Sequence, residues 1–281
     1  MSWRMRVVHT TGYAYDAPVT SSYNEARLTP RGDSRQTVIL NRVETTPATR
    51  SYRYTDYWGT AVTAFDLHAP HKELEVTGLS VVETEPFWEP EEKVDWDELA
   101  SPPLTDRFNE QLSNTTFVPR SRKLDTIARD LRKGRTPDEA VVAAADWVHR
   151  EMDYVPGTTG VHTSAVDAWA ERQGVCQDYA HLLIGALRHV GIPARYVSGY
   201  LHPSAEPEIG VATRAESHAW VQWWLGEWVD HDPTNPVPVT ERHVLVGAGR
   251  DYGDVPPIKG IVAGTPVTTG LDVVVTITRQ A

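Results

Sequence analysis

Gly174-Val175-Cys176-Gln177-Asp178-Tyr179-Ala180 surrounds the only cysteine of the chain. Apolar residues spaced for one helix face continue from there as far as Val190, and Gly191 and Pro193 then end the pattern. The unpaired N–H groups and the positive dipole end of a helix favour a thiolate over a thiol. The stretch therefore predicts a helix from about Cys176 to Val190 with a reactive thiol in its first turn.

Two segments downstream can supply a base and a carboxylate for this thiol. Ser217 to Leu225 and Glu227 to Asp232 are rich in tryptophan and valine, and they predict a β-hairpin with its turn near Gly226. In that register His218 lies opposite, or diagonally beside, a position one to three residues past Asp232. The side chains of His218 and Asp232 can therefore meet on one face of the hairpin.

Together these residue types indicate nucleophilic catalysis of acyl transfer. We expect Cys176 to be the nucleophile, His218 the base that takes its proton and later protonates the leaving amine, and Asp232 the residue that orients the imidazole. The backbone N–H of Cys176 is the expected first donor to the oxyanion. For the second donor three residues remain open: Trp147, Tyr154 and Gln177.

The chain ahead of this region has a different pattern. From Arg4 to about Glu85, residues rich in Thr, Val and Tyr alternate with a period of two, which predicts an antiparallel β domain. The run from Glu83 to Glu92 combines prolines with acidic charge and is typical of an exposed connector. Helices are predicted next, over Ser121 to Arg132 and over Thr136 to Met152.

These patterns predict an α+β protein, because helices grouped ahead of an antiparallel sheet do not build a doubly wound fold. We divide the chain into a β-rich N-terminal domain (residues 1–85), an acidic and proline-rich connector (86–120) and a catalytic core (121–255). The C-terminal strand segment (256–281) is expected to pack on the core or on the N-terminal domain.

Composition excludes several classes of protein. The formal charge of −11 and the pI near 5.4 argue against binding to nucleic acid or to anionic lipid. No stretch is apolar enough for a membrane span or for a secretory leader. One cysteine cannot form an internal disulfide or a cysteine-rich zinc site, and a free thiol survives best in a reducing compartment. We expect a cytoplasmic protein without nucleic-acid or membrane partners and without a bound metal.

Three ordered blocks of sequence carry a resemblance to a known family. They are Arg172 to Leu182, Leu187 to Tyr200, and Ser217 to Trp220 together with Asp232 to Asn235. They resemble the transglutaminase-like superfamily of papain-related cysteine enzymes, in its bacterial form with a β-rich N-terminal region. Shorter similarities extend the resemblance over nearly the whole chain, at Tyr57 to Gly59, Phe65 to His68 and Gly249 to Pro257.

The resemblance implies a papain-like core of helices on an antiparallel sheet, a triad of Cys176, His218 and Asp232, no required cofactor, and a thioester formed from the amide of a protein or peptide substrate. It leaves open whether water or an amine receives the acyl group, since transferases, proteases and amidases share this fold. The alternative function is a catalytically silent module that binds or scaffolds peptides.

Three further positions carry expectations. His231 stands where the family would have an aromatic or apolar residue, and strand alternation places it on the face opposite Asp232, in a rim or structural role. Trp223 and Trp224 are consecutive in one strand and must point to opposite sides. At least one of them is therefore a candidate for a cleft or an interdomain surface.

Overall fold

The computed structural model describes residues 1–86, 93–235, 237–264 and 266–281. Within these ranges the α-helices lie between residues 96 and 189, and a short 3₁₀ helix lies at Tyr252–Asp254. The α-helices are α1 (Trp96–Leu99), α2 (Pro102–Arg107), α3 (Asn109–Leu112), α4 (Arg122–Arg132), α5 (Pro137–Glu151), α6 (Ala165–Glu171) and α7 (Cys176–His189).

The strands flank this helical segment, apart from two short ones inside it. They are β1 (Trp3–Val19), β2 (Ser21–Ala26), β3 (Gln36–Thr46), β4 (Ser51–Thr55), β5 (Ala61–Leu67), β6 (His71–Thr84), β7 (Asp153–Tyr154), β8 (Gln173–Gly174), β9 (Ala194–Leu201), β10 (Ala212–Ala215), β11 (Ser217–Trp224), β12 (Trp228–Asp232), β13 (Val237–Pro238), β14 (His243–Gly249), β15 (Ile258–Ala263) and β16 (Thr268–Arg279).

The described strands build three antiparallel sheets and one parallel ribbon. The sheet orders are β10-β16-β1-β6-β3, β13-β12-β11-β9-β14 and β15-β2-β5-β4, and the ribbon pairs β7 with β8. Antiparallel sheets in the N-terminal region and helices beside an antiparallel sheet confirm the predicted α+β class.

Helix α7 is the centre of the core. Leu182, Leu183 and Ile184 are fully buried on three successive positions, so the helix is covered on all sides, by α4, α5, α6 and by strands β9 and β11. Each such side chain contributes about 1.5–3 kcal/mol by leaving water. The packing fixes the first turn of α7, and with it Cys176. The predicted helix is confirmed to within one residue at its end.

The two helices predicted before α7 are also confirmed, with their caps. The Ser121 hydroxyl accepts from the Leu124 N–H at 3.3 Å at the start of α4. At the start of α5, the Thr136 N–H donates to the Glu139 carboxylate at 3.0 Å, and the Thr136 hydroxyl accepts from the Glu139 N–H in return. This reciprocal pair satisfies two N–H groups that the helix leaves unbonded.

The predicted hairpin is present as β11 and β12. Trp224 lies opposite Trp228 and Val221 opposite His231, with Gly226 in the turn at φ 94°. If this register is continued to the start of β11, His218 lies opposite residue 234, two residues past Asp232, within the range expected from sequence.

The N-terminal strands cover the face of the core sheet opposite the helices. Gln36 at the start of β3 bonds Leu245 of β14 twice: its side-chain amide donates to the carbonyl at 2.8 Å and accepts from the N–H at 2.9 Å. A shared apolar cluster joins the two sheets nearby, including Trp3, Val7 and Val246. The core sheet is therefore held between helices and N-terminal strands.

The C-terminal segment completes the N-terminal sheets: β15 pairs with β2, and β16 pairs with β1. In the predicted connector, residues 87–92 lie outside the described residues. Residues 93–120 contain α1, α2 and α3; Leu99 of α1, Leu104 of α2, and Phe108 between α2 and α3 are buried in the core cluster. The chain boundary drawn at residue 86 stays a prediction.

Among the described residues, the helices are too short or too polar for any of them to cross a membrane.

Candidate active site

The first turn of α7 presents the thiol. Val175 precedes the helix and its side chain cannot accept a hydrogen bond, so the cap comes from within: the Asp178 carboxylate accepts from the Val175 N–H at 2.8 Å. Thr159 donates to the same carboxylate at 2.7 Å. A side chain at Gly174 would meet this carboxylate at 2.6 Å, which explains the glycine two residues before Cys176.

A neighbouring tyrosine is fixed beside the thiol by backbone pairing. In the parallel ribbon, Tyr154 of β7 pairs with Gly174 of β8, and the Val155 N–H donates to the Gly174 carbonyl at 3.0 Å. Tyr154 therefore lies next to the residue that leads into Cys176. Burial and the charges of Cys176 and Glu216 raise the pKa of Tyr154 to about 12, so its hydroxyl keeps its proton at neutral pH.

The three residues expected to form the site come together. His218 Nε2 and Asp232 Oδ2 are 2.7 Å apart, which leaves His218 Nδ1 for the thiol of Cys176, a hydrogen-bonding neighbour of the ring. Burial alone would lower the pKa of His218. The hydrogen bonds and charges of Asp232 and Cys176 outweigh burial and raise it to about 10. The arrangement thus favours an imidazolium beside the sulfur of Cys176.

Asp232 is fully buried but surrounded by donors. The N–H groups of Thr234 and Asn235 donate to Oδ1 at 3.0 and 3.2 Å, and the Asn235 amide donates to Oδ2 at 3.1 Å. His218 and His243 also bond Oδ2. Burial would raise the pKa of Asp232, but these two histidines hold it well below its usual range. The carboxylate is therefore ionised whenever His218 is charged.

The ring of His218 rests on Trp220, whose plane lies at 28° to it with 6.1 Å between ring centroids. Trp220 is 1% exposed, and its indole N–H donates to Asp230 at 2.7 Å. Asp230 in turn forms an ion pair with Arg35 at the edge of the N-terminal sheet. Contacts thus connect Arg35 of the N-terminal region, through Asp230 and Trp220, to the ring of His218.

Two cavities open onto the site. One, of about 370 Å³, is lined by Cys176, Tyr154, Tyr196 and Tyr252 among others. The second, of about 610 Å³, is lined by Arg214, Thr234 and Asn235 among others. The two cavities share Tyr154, Ala215, Glu216, Ser217 and His218. A ligand in either cavity can reach His218, whereas the thiol lines the first cavity.

The structure also places the three candidates for the second oxyanion donor, and His231. Trp147 is buried against Trp169, and the Gln177 side-chain amide donates to the Val161 carbonyl at 3.3 Å. Of the three residues open as the second oxyanion donor, Tyr154 lines both cavities at His218, Gln177 lines the first one, and Trp147 lines neither. His231 lies opposite Val221 on the helix-covered face, away from Asp232 as alternation predicts.

The two consecutive tryptophans lie away from the thiol. Trp223 is buried in the core, and Trp224 lines a separate cavity with Arg107. Among the described residues that line the two cavities at His218, the aromatic rings other than that histidine are tyrosines. The consecutive tryptophans go to opposite sides of the strand as predicted, but neither borders the thiol.

Sequence reasoning missed two residues that hold Asp232. Asn235 was visible in the block Asp232 to Asn235, where an amide three residues after a carboxylate can fold back in a turn. His243 lies eleven residues away in the chain and carries no local signal. Only the pairing of β14 beside β9 brings it to the site.

The sequence matches two family models that together span most of the described fold. Residues 125–233 match the transglutaminase-like superfamily, and residues 5–83 match the bacterial transglutaminase-like N-terminal region. The chain belongs to the transglutaminase-like superfamily. Its members are cysteine acyltransferases or proteases.

Similar proteins agree with this family. An uncharacterized protein of Mycobacterium leprae is 57% identical over 99% of this chain and 100% of its own length. A protein-glutamine gamma-glutamyltransferase of Pseudomonas aeruginosa is 34% identical over 42% of this chain and 19% of that enzyme. A crystal structure from Cytophaga hutchinsonii, described as a candidate cysteine protease, covers all of both chains with a TM-score of 0.73 at 22% identity, which establishes the shared fold.

Proposed function

We propose that this protein is a cysteine acyltransferase or amidohydrolase that acts on an amide of a protein or peptide, through a thioester on Cys176. The observation that carries the proposal is the position of His218. Its Nε2 is 2.7 Å from a buried aspartate, and its Nδ1 is left for a thiol at a helix start. Membership of the transglutaminase-like superfamily supports the same chemistry.

In the first half-reaction, the Cys176 thiolate attacks the carbonyl carbon of the amide. A C–S bond forms, and the carbonyl π electrons move to oxygen. When this tetrahedral intermediate collapses, the C–N bond breaks and the amine leaves with the proton that His218 Nδ1 carried. Cys176 is then acylated, and the imidazole is neutral.

In the second half-reaction, the neutral imidazole takes a proton from water or from an amine as that nucleophile attacks the thioester. The C–S bond breaks, the thiolate is restored, and His218 is again an imidazolium beside it. Asp232 accepts from Nε2 throughout and stabilises the charged ring.

The oxyanion is formed next to two donors. Cys176 is the first residue of α7, where a backbone N–H has no acceptor within the helix. Tyr154, which carries a hydroxyl donor, lines the same cavity as Cys176. We assign these two groups to the oxyanion hole, because a donor that meets the developing charge lowers the barrier rather than tightening ground-state binding.

Tyr154→Phe is expected to lower kcat by about 10²-fold, with KM changed little, because one oxyanion donor is lost. Steady-state kinetics on an amide substrate measures both constants. Tyr252→Phe is the matched control, since it removes a hydroxyl from the same cavity. Equal kinetics for Tyr154→Phe and the wild type would remove Tyr154 from the oxyanion hole.

The paired cavities fit a two-substrate reaction. An acyl group on Cys176 can occupy the first cavity while the acceptor reaches the thioester through the second, past His218. Glu216 lines both cavities at their junction, where its carboxylate would attract an ammonium group. Transfer to an amine and hydrolysis are both open to this geometry.

Trapping the acyl-enzyme tests the proposed function directly. The protein is incubated with a peptide library rich in glutamine amides, quenched in acid, and analysed by intact-mass and peptide mass spectrometry. We expect an acyl adduct on Cys176, and a biotinylated alkylamine added before the quench should appear in the product if transfer competes with water. Peptides that bind without any adduct or turnover would instead identify a silent peptide-binding module.

A further inference from the structure

His243 contacts the site from the side opposite His218. It is the first residue of β14, its side chain is 2% exposed, and its Nε2 is 3.4 Å from Asp232 Oδ2. Its ring also meets the ring of Trp220 edge to face, with centroids 5.3 Å apart. Asp232 therefore lies between two imidazoles, one that faces the thiol and one that does not.

The second nitrogen of His243 determines where its proton is. The backbone N–H of Thr240 points at Nδ1 from 3.2 Å, and the His243 N–H returns a bond to the Thr240 carbonyl at 3.0 Å. Because an N–H donor faces Nδ1, that nitrogen is the acceptor of the ring. A neutral ring then carries its proton on Nε2, where it points at Asp232.

We propose that His243 is a positioning residue of this site, whose Nε2–H donates to Asp232 and holds the carboxylate in place for His218. This inference rests on the proposed acyl-transfer function. Burial lowers the pKa of His243, which agrees with a neutral donor. The carboxylate can serve His218 as a fixed acceptor because two backbone N–H groups, the Asn235 amide and His243 donate to its remaining lone pairs.

The same three side chains could be taken for a metal site, because one ligand atom from each of His218, Asp232 and His243 lies within 4.8 Å of the others. The contact with Thr240 argues against that alternative. A metal on His243 Nε2 would require the ring proton to move to Nδ1, directly against the Thr240 N–H. Hydrogen bonds from the two imidazoles to Asp232, at 2.7 Å from His218 and 3.4 Å from His243, account for the cluster without a metal.

Charged and titratable groups face His243 from the preceding residue, from His218 and from the N-terminal side. Arg242 precedes it in the chain, and His218 lies 6.1 Å away between ring centroids. A cavity of about 40 Å³ borders the ring on the N-terminal side, and its charged lining residues are Asp33, Arg35, Glu85 and Asp230. The charged group within hydrogen-bond distance of His243 Nε2 is Asp232.

Two variants separate the contact with Asp232 from the contact with the turn. In His243→Gln, the side-chain amide nitrogen takes the place of Nε2 and can still donate to Asp232. In His243→Asn, the shorter side chain keeps an acceptor for the Thr240 N–H but cannot reach Asp232. We expect kcat within about 3-fold of wild type for the glutamine variant, and at least a 10-fold lower kcat with unchanged KM for the asparagine variant.

The opposite order, with the asparagine variant active and the glutamine variant impaired, would show that His243 serves the turn alone. Equal kcat for both variants and the wild type would also overturn the proposal. Imidazole ¹⁵N NMR of the wild type gives an independent check, since the proton of His243 must be found on Nε2.

Alkylation of Cys176 by iodoacetamide separates failure of this inference from failure of the proposed function. Cys176 is the only thiol, so the rate reports the pair with His218 without any substrate. A wild-type rate that follows pH like a free thiol would reject the proposed function itself. A fast wild-type rate at neutral pH that is equal in both His243 variants would reject the positioning role alone.

Discussion

Cys176→Ala is expected to abolish turnover of amide substrates, with a loss of at least about 10⁴-fold in kcat, while the protein stays folded. The thioester cannot form without the sulfur, and the oxyanion donors and substrate binding alone leave only a residual acceleration of roughly 10³- to 10⁴-fold over water. The side chain is only partly buried, at the edge of the core cluster. Its removal should therefore cost about 1 kcal/mol or less in the free energy of unfolding.

The measurement is paired with folding and binding controls. Circular dichroism and denaturant unfolding establish that Cys176→Ala keeps the native fold, and Cys176→Ser adds a nearly isosteric variant with a poor nucleophile. Peptide affinity should be retained in both variants, because the cavity lining is otherwise unchanged. Undiminished turnover in folded Cys176→Ala would reject the mechanism. If Cys176→Ala loses both its fold and its peptide binding, turnover is measured with Cys176→Ser instead, and undiminished turnover in that variant would reject the mechanism.

Much of the site could be predicted because its signals are local. The helix start at Cys176 follows from apolar spacing and from the glycine at 174, and the hairpin register follows from its short turn. Both kinds of signal act over a few residues, where backbone geometry leaves few alternatives. The meeting of His218 with Asp232 needed only those two elements.

The rest depends on contacts between distant segments. His243 reaches Asp232 only because β14 pairs with β9, and Arg35 reaches Asp230 across 195 positions of the chain. No pattern of composition or period marks such residues, since a lone histidine or arginine has the same local signature on any strand. The places of the tryptophans also depend on distant segments: the core under α7 takes up Trp223, the ring of Trp220 lies against His218, and Trp224 lines a separate cavity.

The N-terminal strands contact residues that hold the active-site side chains in place. Trp220 supports His218, Asp230 holds the indole N–H of Trp220, and the ion pair to Asp230 comes from Arg35 in the N-terminal sheet. Gln36 beside it pairs with the backbone of β14 just after His243. The N-terminal strands thus brace two of the side chains that surround Asp232.

Asp232→Asn is expected to lower kcat by about 10³- to 10⁴-fold. An amide has one oxygen, but donors face both oxygens of Asp232, so one set must meet an NH₂ group whichever way the amide turns. If the oxygen stays with the backbone N–H groups, the amide nitrogen faces His218 Nε2. The ring must then carry its proton on Nδ1, where it can no longer accept the proton of Cys176.

Asp232→Asn also removes the negative charge beside His218, and this changes the pH dependence of kcat/KM. Burial lowers the pKa of His218, and the bond and charge of Asp232 are the principal opposing effects that raise it to about 10. With asparagine at 232 burial dominates, so the imidazolium is lost at a lower pH. The alkaline limit of kcat/KM, and of Cys176 alkylation, should therefore move to lower pH, and alkylation at pH 7 should slow at least 10-fold.

Asp230→Asn is the matched control, because Asp230 is a buried carboxylate on the same strand and the same face that bonds Trp220 and Arg35 instead of His218. Both variants lose a buried charge and should lose stability. Only Asp232→Asn should displace the alkaline limit, since Asp232, and not Asp230, is the carboxylate that raises the pKa of His218 by direct contact. Equal displacement in both variants would mean that the limit reports the general field of the buried carboxylates, and an unchanged limit in Asp232→Asn would remove Asp232 from the triad.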